Sequence, residues 1–317
     1  MAELISMRKA YGEALVELGK NNPRVVVLSA DVCNSDYSYM FENEYPYRFF
    51  NVGIAEQSLV DIAVGLALTG FIPFVNTFSF LFATRALEMI RTHLCYGKTN
   101  VKLMGAYSGL SDSFDGPTHH SITDIAIMRS LPNMSVVVPC DSVALKKILP
   151  QVADWDGPLF LRLSRAEVPV VFNGSYKPEI GKAIVIREGN DLTIICAGIM
   201  VSRSLKAADA LLKDGVSARV VELHTIKPID KDNILSNARE TGAIVTAEEH
   251  NIVGGLGSAV SEVITENFPV PLKRVGIKDR FSETGPYDVL LDNYGMSVDD
   301  IILAAKTVLK LKHKLKR

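Results

Sequence analysis

Short runs of β-branched and other apolar residues alternate along the chain with longer stretches whose apolar positions recur every three or four residues. The first such run, RVVVLSAD (residues 24–31), follows a helical RKAYGEALVELG. IPFVNTF, VKLMGAY, SVVVPC and PLFLRLS repeat the strand pattern, separated by the helical stretches ATRALEMIRTHL, ITDIAIMRSL and SVALKKILPQVA. Strands alternating with helices predict a parallel sheet wrapped by helices. Residues 165–191 are rich in Pro, Gly and polar side chains and lack a helical period, which predicts a linker with room for a hairpin. A second alternation follows: LTIICAG, ARVVELHTI and AIVTAEEH as strands, SRSLKAADALLKDG, NILSNARE and GSAVSEVITENF as helices. The expected fold class is α/β, with one parallel-sheet domain over 1–170, a linker over 171–187 and a second such domain over 188–317.

A length of 317 residues suits two hydrophobic cores better than one. The formal net charge of −2 gives no reason to expect nucleic acid or an acidic membrane as partner. No apolar run reaches the roughly 18 residues of a membrane span, and the start lacks a signal-peptide core, so a cytoplasmic protein is expected. Cys33, Cys95, Cys140 and Cys196 are scattered without Cys-x-x-Cys spacing and read as reduced structural thiols. GGLGSAV (254–260) lacks the third glycine of a dinucleotide loop and reads as a tight strand-to-helix turn or, failing that, an anion site. The basic tail KTVLKLKHKLKR reads as a solvated helix end.

Candidate chemistry begins at NVGIAEQSLVDIAVGLAL (51–68), a strongly apolar run with Glu56 at its mouth. A helix over 54–68 would have no polar face in its latter half and is expected to be buried on most sides. Glu56 then either complements the helix dipole or is a desolvated carboxylate able to exchange a proton with a ligand. NTFSFLFATRA (76–86) brings Phe78, Phe80 and Phe82 together between a strand and a helix, an aromatic face for a planar heterocycle or simply core. YSGLSDSFDGPTHHSITD (107–124) is a polar loop after a strand, where α/β proteins place ligands. His119 stands four residues after Asp115, but no second cluster completes a coordination sphere, so no metal site is expected on this chain.

Gly53-Ile54-Ala55-Glu56-Gln57, the Phe-rich segment ending Phe82-Ala83-Thr84-Arg85, Asp115-Gly116-Pro117-Thr118-His119 and Leu163-Ser164-Arg165 occur in this order. Together they resemble the thiamine-diphosphate-dependent transketolase family, from end to end of its pyrimidine-binding and C-terminal domains. The chain looks like the C-terminal subunit of a split transketolase. The resemblance implies that Glu56 shares a proton with a ring nitrogen of the cofactor's aminopyrimidine and that Phe82 stacks on that ring, with Phe78 as the alternative. It implies that Asp31 lies near the thiazolium side. Ser35, Arg8 and Arg165 are expected to bind substrate phosphate, a task suited to guanidinium forks. Asp115 and His119 are expected to bind sugar hydroxyls and handle protons.

Two positions depart from the family pattern. Tyr107 stands eight residues before Asp115, where a histidine is common, and His120 stands where a glutamine is usual. A phenol does not shuttle protons near neutral pH as imidazole does, so the substrate is open. The sequence also holds no Gly-Asp-Gly segment followed at about thirty residues by Asn, the family's arrangement for magnesium and diphosphate. The resemblance therefore implies thiamine diphosphate and Mg2+ with a separate N-terminal partner subunit holding the metal and diphosphate, in a 2+2 heterotetramer. Ketol transfer between sugar phosphates is the expected activity. Transketolases for apulose phosphate or a sulfonated ketose, a deoxyxylulose-phosphate synthase, a 2-oxoacid dehydrogenase beta-type subunit and a non-catalytic assembly module are the alternatives.

Overall fold

The computed structural model describes residues 3–315. Its strands are β1 (Leu4–Ser6), β2 (Val25–Ser29), β3 (Phe49–Asn51), β4 (Ile72–Phe78), β5 (Lys102–Ala106), β6 (Ser135–Val137), β7 (Leu159–Arg162) and β8 (Glu167–Pro169) in the first half. The second half adds β9 (Ile184–Arg187), β10 (Leu192–Cys196), β11 (Ala218–Glu222), β12 (Thr225–Lys227), β13 (Ile244–Asn251) and β14 (Leu272–Ile277).

One seven-stranded sheet runs β12-β6-β7-β5-β4-β2-β3, and one five-stranded sheet runs β14-β13-β10-β11-β9. Both are parallel except at one edge, where β12 and β9 pair antiparallel. The fold is thus α/β with two parallel-dominated sheets. Strands β2, β5 and β10 are buried along their whole length, so helices must cover both faces of each sheet.

Two details differ from the sequence reading. ARVVELHTI is not one strand. It divides into β11 in the second sheet and β12, which crosses back to complete the first sheet against β6. The last four residues of the expected linker form β9, which pairs with β11. The halves also share one apolar cluster, which includes Val136 and Phe160 of the first and Val221 and Leu256 of the second.

The turn at Gly254 resolves against an open anion site. Glu248 accepts hydrogen bonds from the N–H groups of Leu256 (2.6 Å) and Gly257 (2.8 Å) at the start of the helix Leu256–Asn267. An internal carboxylate already takes the donors an external anion would use. The basic tail belongs to the helix Val298–Leu315, and Lys312 is not simply solvated: its Nζ donates to the carbonyls of Asp191 and Thr241. Lys316 and Arg317 lie outside the described residues.

Candidate active site

Parallel strands put their carboxyl ends on one edge of the sheet, and the loops leaving that edge collect the candidate residues. Asp31 and Ser35 follow β2, Glu56 follows β3, Phe78 closes β4, the loop 107–123 follows β5 and Arg165 follows β7. Since β7, β5, β4, β2 and β3 are consecutive neighbours, these loops are adjacent too.

Glu56 is the first residue of the helix Glu56–Leu68 and is only 1% exposed. The helix is not buried on most sides. Its buried residues are Glu56, Leu59, Val60 and Ala63, a single stripe at helical spacing, while Ile62 and Leu68 are 44% and 75% exposed. The stripe carries the carboxylate inward with the apolar residues. Its Oε2 accepts a hydrogen bond from Arg85 Nη1 at 2.9 Å, and its Oε1 accepts none among the described residues. Arg85 follows Thr84, where the short helix Ser79–Ala83 stops and the backbone leaves helical geometry at φ −123° and ψ −66°.

Asn51, which the sequence reading left without a role, fixes the entry to this helix. Its Oδ1 accepts from the N–H groups of Asp31 and Gly53, both at 3.1 Å, and its Nδ2 donates to Asp31 Oδ1 at 2.9 Å. The loops after β2 and β3 are thereby locked together, and Asp31 is exposed at the rim with a positive φ of 61°.

The aromatic face is real, but Phe82 is not on it. Phe82 is fully buried and meets Phe160 edge to face within the core, so it has no surface to offer a bound ring. At Ser79 the chain passes from strand to helix, and the change of period sends Phe82 inward. Phe78 and Phe80 are half-buried, with ring centroids 6.5 Å apart. Phe78 also packs on Tyr107 (ring centroids 4.4 Å apart), and His119 meets Phe80 edge to face with ring centroids 5.3 Å apart. His119 Nδ1 is 3.0 Å from Thr118 Oγ1, and Asp115 is exposed.

Arg8 and Arg165 converge on Tyr107, whose ring centroid lies 5.3 and 5.1 Å from their guanidinium carbons. Arg8 Nε donates to the Arg165 carbonyl at 3.1 Å; its Nη1 donates to the Ser35 carbonyl and to the Tyr107 hydroxyl at 3.2 Å. Tyr107 holds a φ of 60°, a left-handed conformation that costs a bulky residue energy and recurs where a site dictates the backbone. Asp112, another residue without a sequence signal, is buried with Oδ1 3.0 Å from Arg165 Nη1. Burial pushes its carboxyl up to about 7, helped by the Asp115 carboxyl and opposed by Arg165. His120 turns away from this group. Its Nε2 meets the Asp112 carbonyl at 3.0 Å, its Nδ1 meets Ser282 Oγ, and burial pushes its proton affinity below the ordinary value.

One edge of the first sheet thus carries a buried carboxylate with a free oxygen, a half-buried aromatic face and two arginines around a phenol. Profiles of known families fix its ancestry: the transketolase pyrimidine binding domain matches residues 3–171 and the transketolase C-terminal domain matches residues 181–301. The chain belongs to the transketolase family. Among solved structures, a split-gene transketolase described as an inactive beta4 tetramer is 46% identical with a TM-score of 0.92, covering 97% of this chain and 99% of that one. A 6-deoxy-6-sulfo-D-fructose transketolase subunit of Clostridium sp. is 38% identical over 97% of this chain and 95% of its own length. An apulose-4-phosphate transketolase subunit of Phocaeicola vulgatus is 37% identical over 97% and 98%. Within this transketolase subunit no group of three or more His, Cys, Asp or Glu side chains could hold a metal ion among the described residues. Nor, among those residues, is any helix long and apolar enough to cross a membrane. All four cysteines are free thiols.

Proposed function

We propose that this subunit provides the pyrimidine-binding half of a two-chain, thiamine-diphosphate-dependent transketolase. The complex moves a two-carbon ketol unit from a ketose phosphate to an aldose phosphate. The observation that carries the reading is Glu56: a carboxylate 1% exposed, with Oε2 held by Arg85 and Oε1 uncommitted, on the same edge of the sheet as a half-buried aromatic face. Those features fit an aminopyrimidine, a flat ring with a nitrogen that needs a proton-sharing partner. Glu56 would hold that nitrogen, Phe78 and Phe80 would cover the ring, and Asp31, braced by Asn51, would stand at the thiazolium side. When bound, the cofactor supplies a nucleophilic carbon and an electron sink.

The remaining residues bind and orient substrate. Arg8 and Arg165 give the pocket its positive charge and, with the Ser35 hydroxyl, receive the phosphate. Asp115 and His119 take the sugar hydroxyls, and His119 moves protons at them. Mg2+ and the diphosphate are held by an N-terminal partner subunit, two copies of each chain forming two sites. The names of the two relatives as subunits, each matched over nearly its whole length, support a partner chain.

Tyr107 favours a second reading of the substrate. A phenol bonded to Arg8 where an imidazole is usual alters the pocket for the donor's far end, and two relatives are named for unusual sugars. A sulfonated ketose or apulose phosphate is then the donor. Mixing the chain with its candidate diphosphate-binding partner, thiamine diphosphate and magnesium tests both readings. Ketol transfer from common ketose phosphates supports the first, and transfer from the unusual donors alone supports the second. Turnover by this chain without any partner contradicts both.

A further inference from the structure

The loop that carries Asp115 and His119 leaves the first sheet after β5, yet much of what holds it belongs to the second domain. Leu110 and Ile122, near its two ends, are buried within the apolar cluster built by the second sheet. Burial there strips water from the Leu110 N–H, which has no strand to pair with. Glu249 on β13 supplies the acceptor: its Oε1 receives that N–H at 2.7 Å. The carboxylate is itself nearly enclosed, and burial pushes it up to about 7. Burying a carboxyl is costly unless it answers a donor that would otherwise be orphaned.

Three further contacts run between the loop and the second domain, one from β13 and two from the segment after β14. Gly285 N–H donates to the Ser113 carbonyl at 3.1 Å, Asn251 N–H donates to the Ile122 carbonyl at 2.9 Å, and Ser282 meets His120. Gly109, at a φ of 61°, lets the loop backbone approach Glu249: a Cβ there would lie 2.3 Å from the carboxylate. A side chain of any size at that position would displace Glu249 from Leu110.

We infer that the second domain positions the substrate loop, and that Glu249, through the Leu110 N–H, is the positioning residue. The consequence for catalysis rests on the proposed function; the positioning does not. Hydrogen exchange of the full chain, followed in peptides covering 108–122, reads the positioning directly. Glu249→Met removes the acceptor at similar volume and should speed exchange in those peptides about tenfold, as one buried hydrogen bond left unmade would. Peptides from β10 and β11 should exchange as in the parent. Glu249→Gln keeps an acceptor oxygen and should exchange within about threefold of the parent. With the partner subunit present, Glu249→Met should raise the donor KM about tenfold and Glu249→Gln should restore it.

Unchanged loop exchange in Glu249→Met, or faster exchange spread equally over β10 and β11, overturns the inference. If Glu249→Met yields no folded protein, Ser282→Ala is read in the same peptides, and unchanged exchange there overturns it as well. Faster loop exchange in a complex that shows no ketol transfer with any donor upholds the positioning and counts against the proposed function instead.

Discussion

Arg85 Nη1 lies 2.9 Å from Glu56 Oε2, pairing a half-exposed guanidinium with a carboxylate sealed at the head of its helix. The arginine holds one oxygen and leaves the other without a hydrogen-bond partner among the described residues. Glu56→Gln keeps this shape but cannot share a proton in the same way. Turnover with the partner subunit should fall by about 10²- to 10⁴-fold, the usual worth of positioned proton transfer, while circular dichroism and the melting temperature stay near those of the parent. Rates near the parent's would remove Glu56 from the chemistry.

Phe82 and Phe80 should separate stability from binding. Phe82→Ala empties a site inside the core against Phe160 and should cost about 3–5 kcal/mol in denaturant unfolding. Phe80→Ala touches a half-buried ring and should leave stability within about 1 kcal/mol while weakening thiamine diphosphate binding by the complex. The reverse pattern would return Phe82 to the aromatic face.

Arg165→Ala should raise KM for donors with an anionic end and leave kcat largely unchanged, since the contact it removes is made in ground and transition states alike. Tyr107→His should change the ratio of kcat/KM between a sugar phosphate and a sulfonated or branched donor by about tenfold or more, the scale of a lost or gained hydrogen bond in a polar pocket. An unaltered ratio would make Tyr107 a spectator of donor choice.

Stability should depend on pH through Asp36. Its Oδ1 accepts the Ser38 N–H at 2.8 Å, its Oδ2 has no partner among the described residues, and burial pushes the carboxyl up to about 7. The folded chain therefore keeps a proton that the unfolded chain releases in the ordinary carboxylate range. That contribution is full below about pH 4 and is lost as pH rises through about 7. Urea unfolding at pH 5.5 and pH 8 should show Asp36→Asn losing less stability than the parent across the interval. Equal losses would mean that Asp36 does not titrate in that window.

The sequence made the buried strands legible because both their faces are buried and mostly apolar: β2, β5 and β10 are runs that few solvent-facing elements would carry. β14 escaped because Lys273 and Arg274 are exposed within it, and β12 because three residues carry no period and their partner lies in the other sheet. The Glu56 segment was read as a mostly enclosed helix, but only one stripe faces the sheet; hydrophobicity alone does not say whether a neighbour or solvent covers the rest. Phe80 and Phe82 could not be told apart without knowing that the strand ends at Phe78. Asp112 and Glu249 had no local signal at all, since their partners Arg165 and Leu110 lie 53 and 139 positions away.

The most direct test of the central claim is a crystal structure of this chain with its diphosphate-binding partner, thiamine diphosphate and magnesium. The account predicts a Glu56 carboxylate oxygen within about 3.2 Å of an aminopyrimidine ring nitrogen, with Arg85 still on the other oxygen. A cofactor seated elsewhere, or Glu56 turned into bulk water, would contradict it.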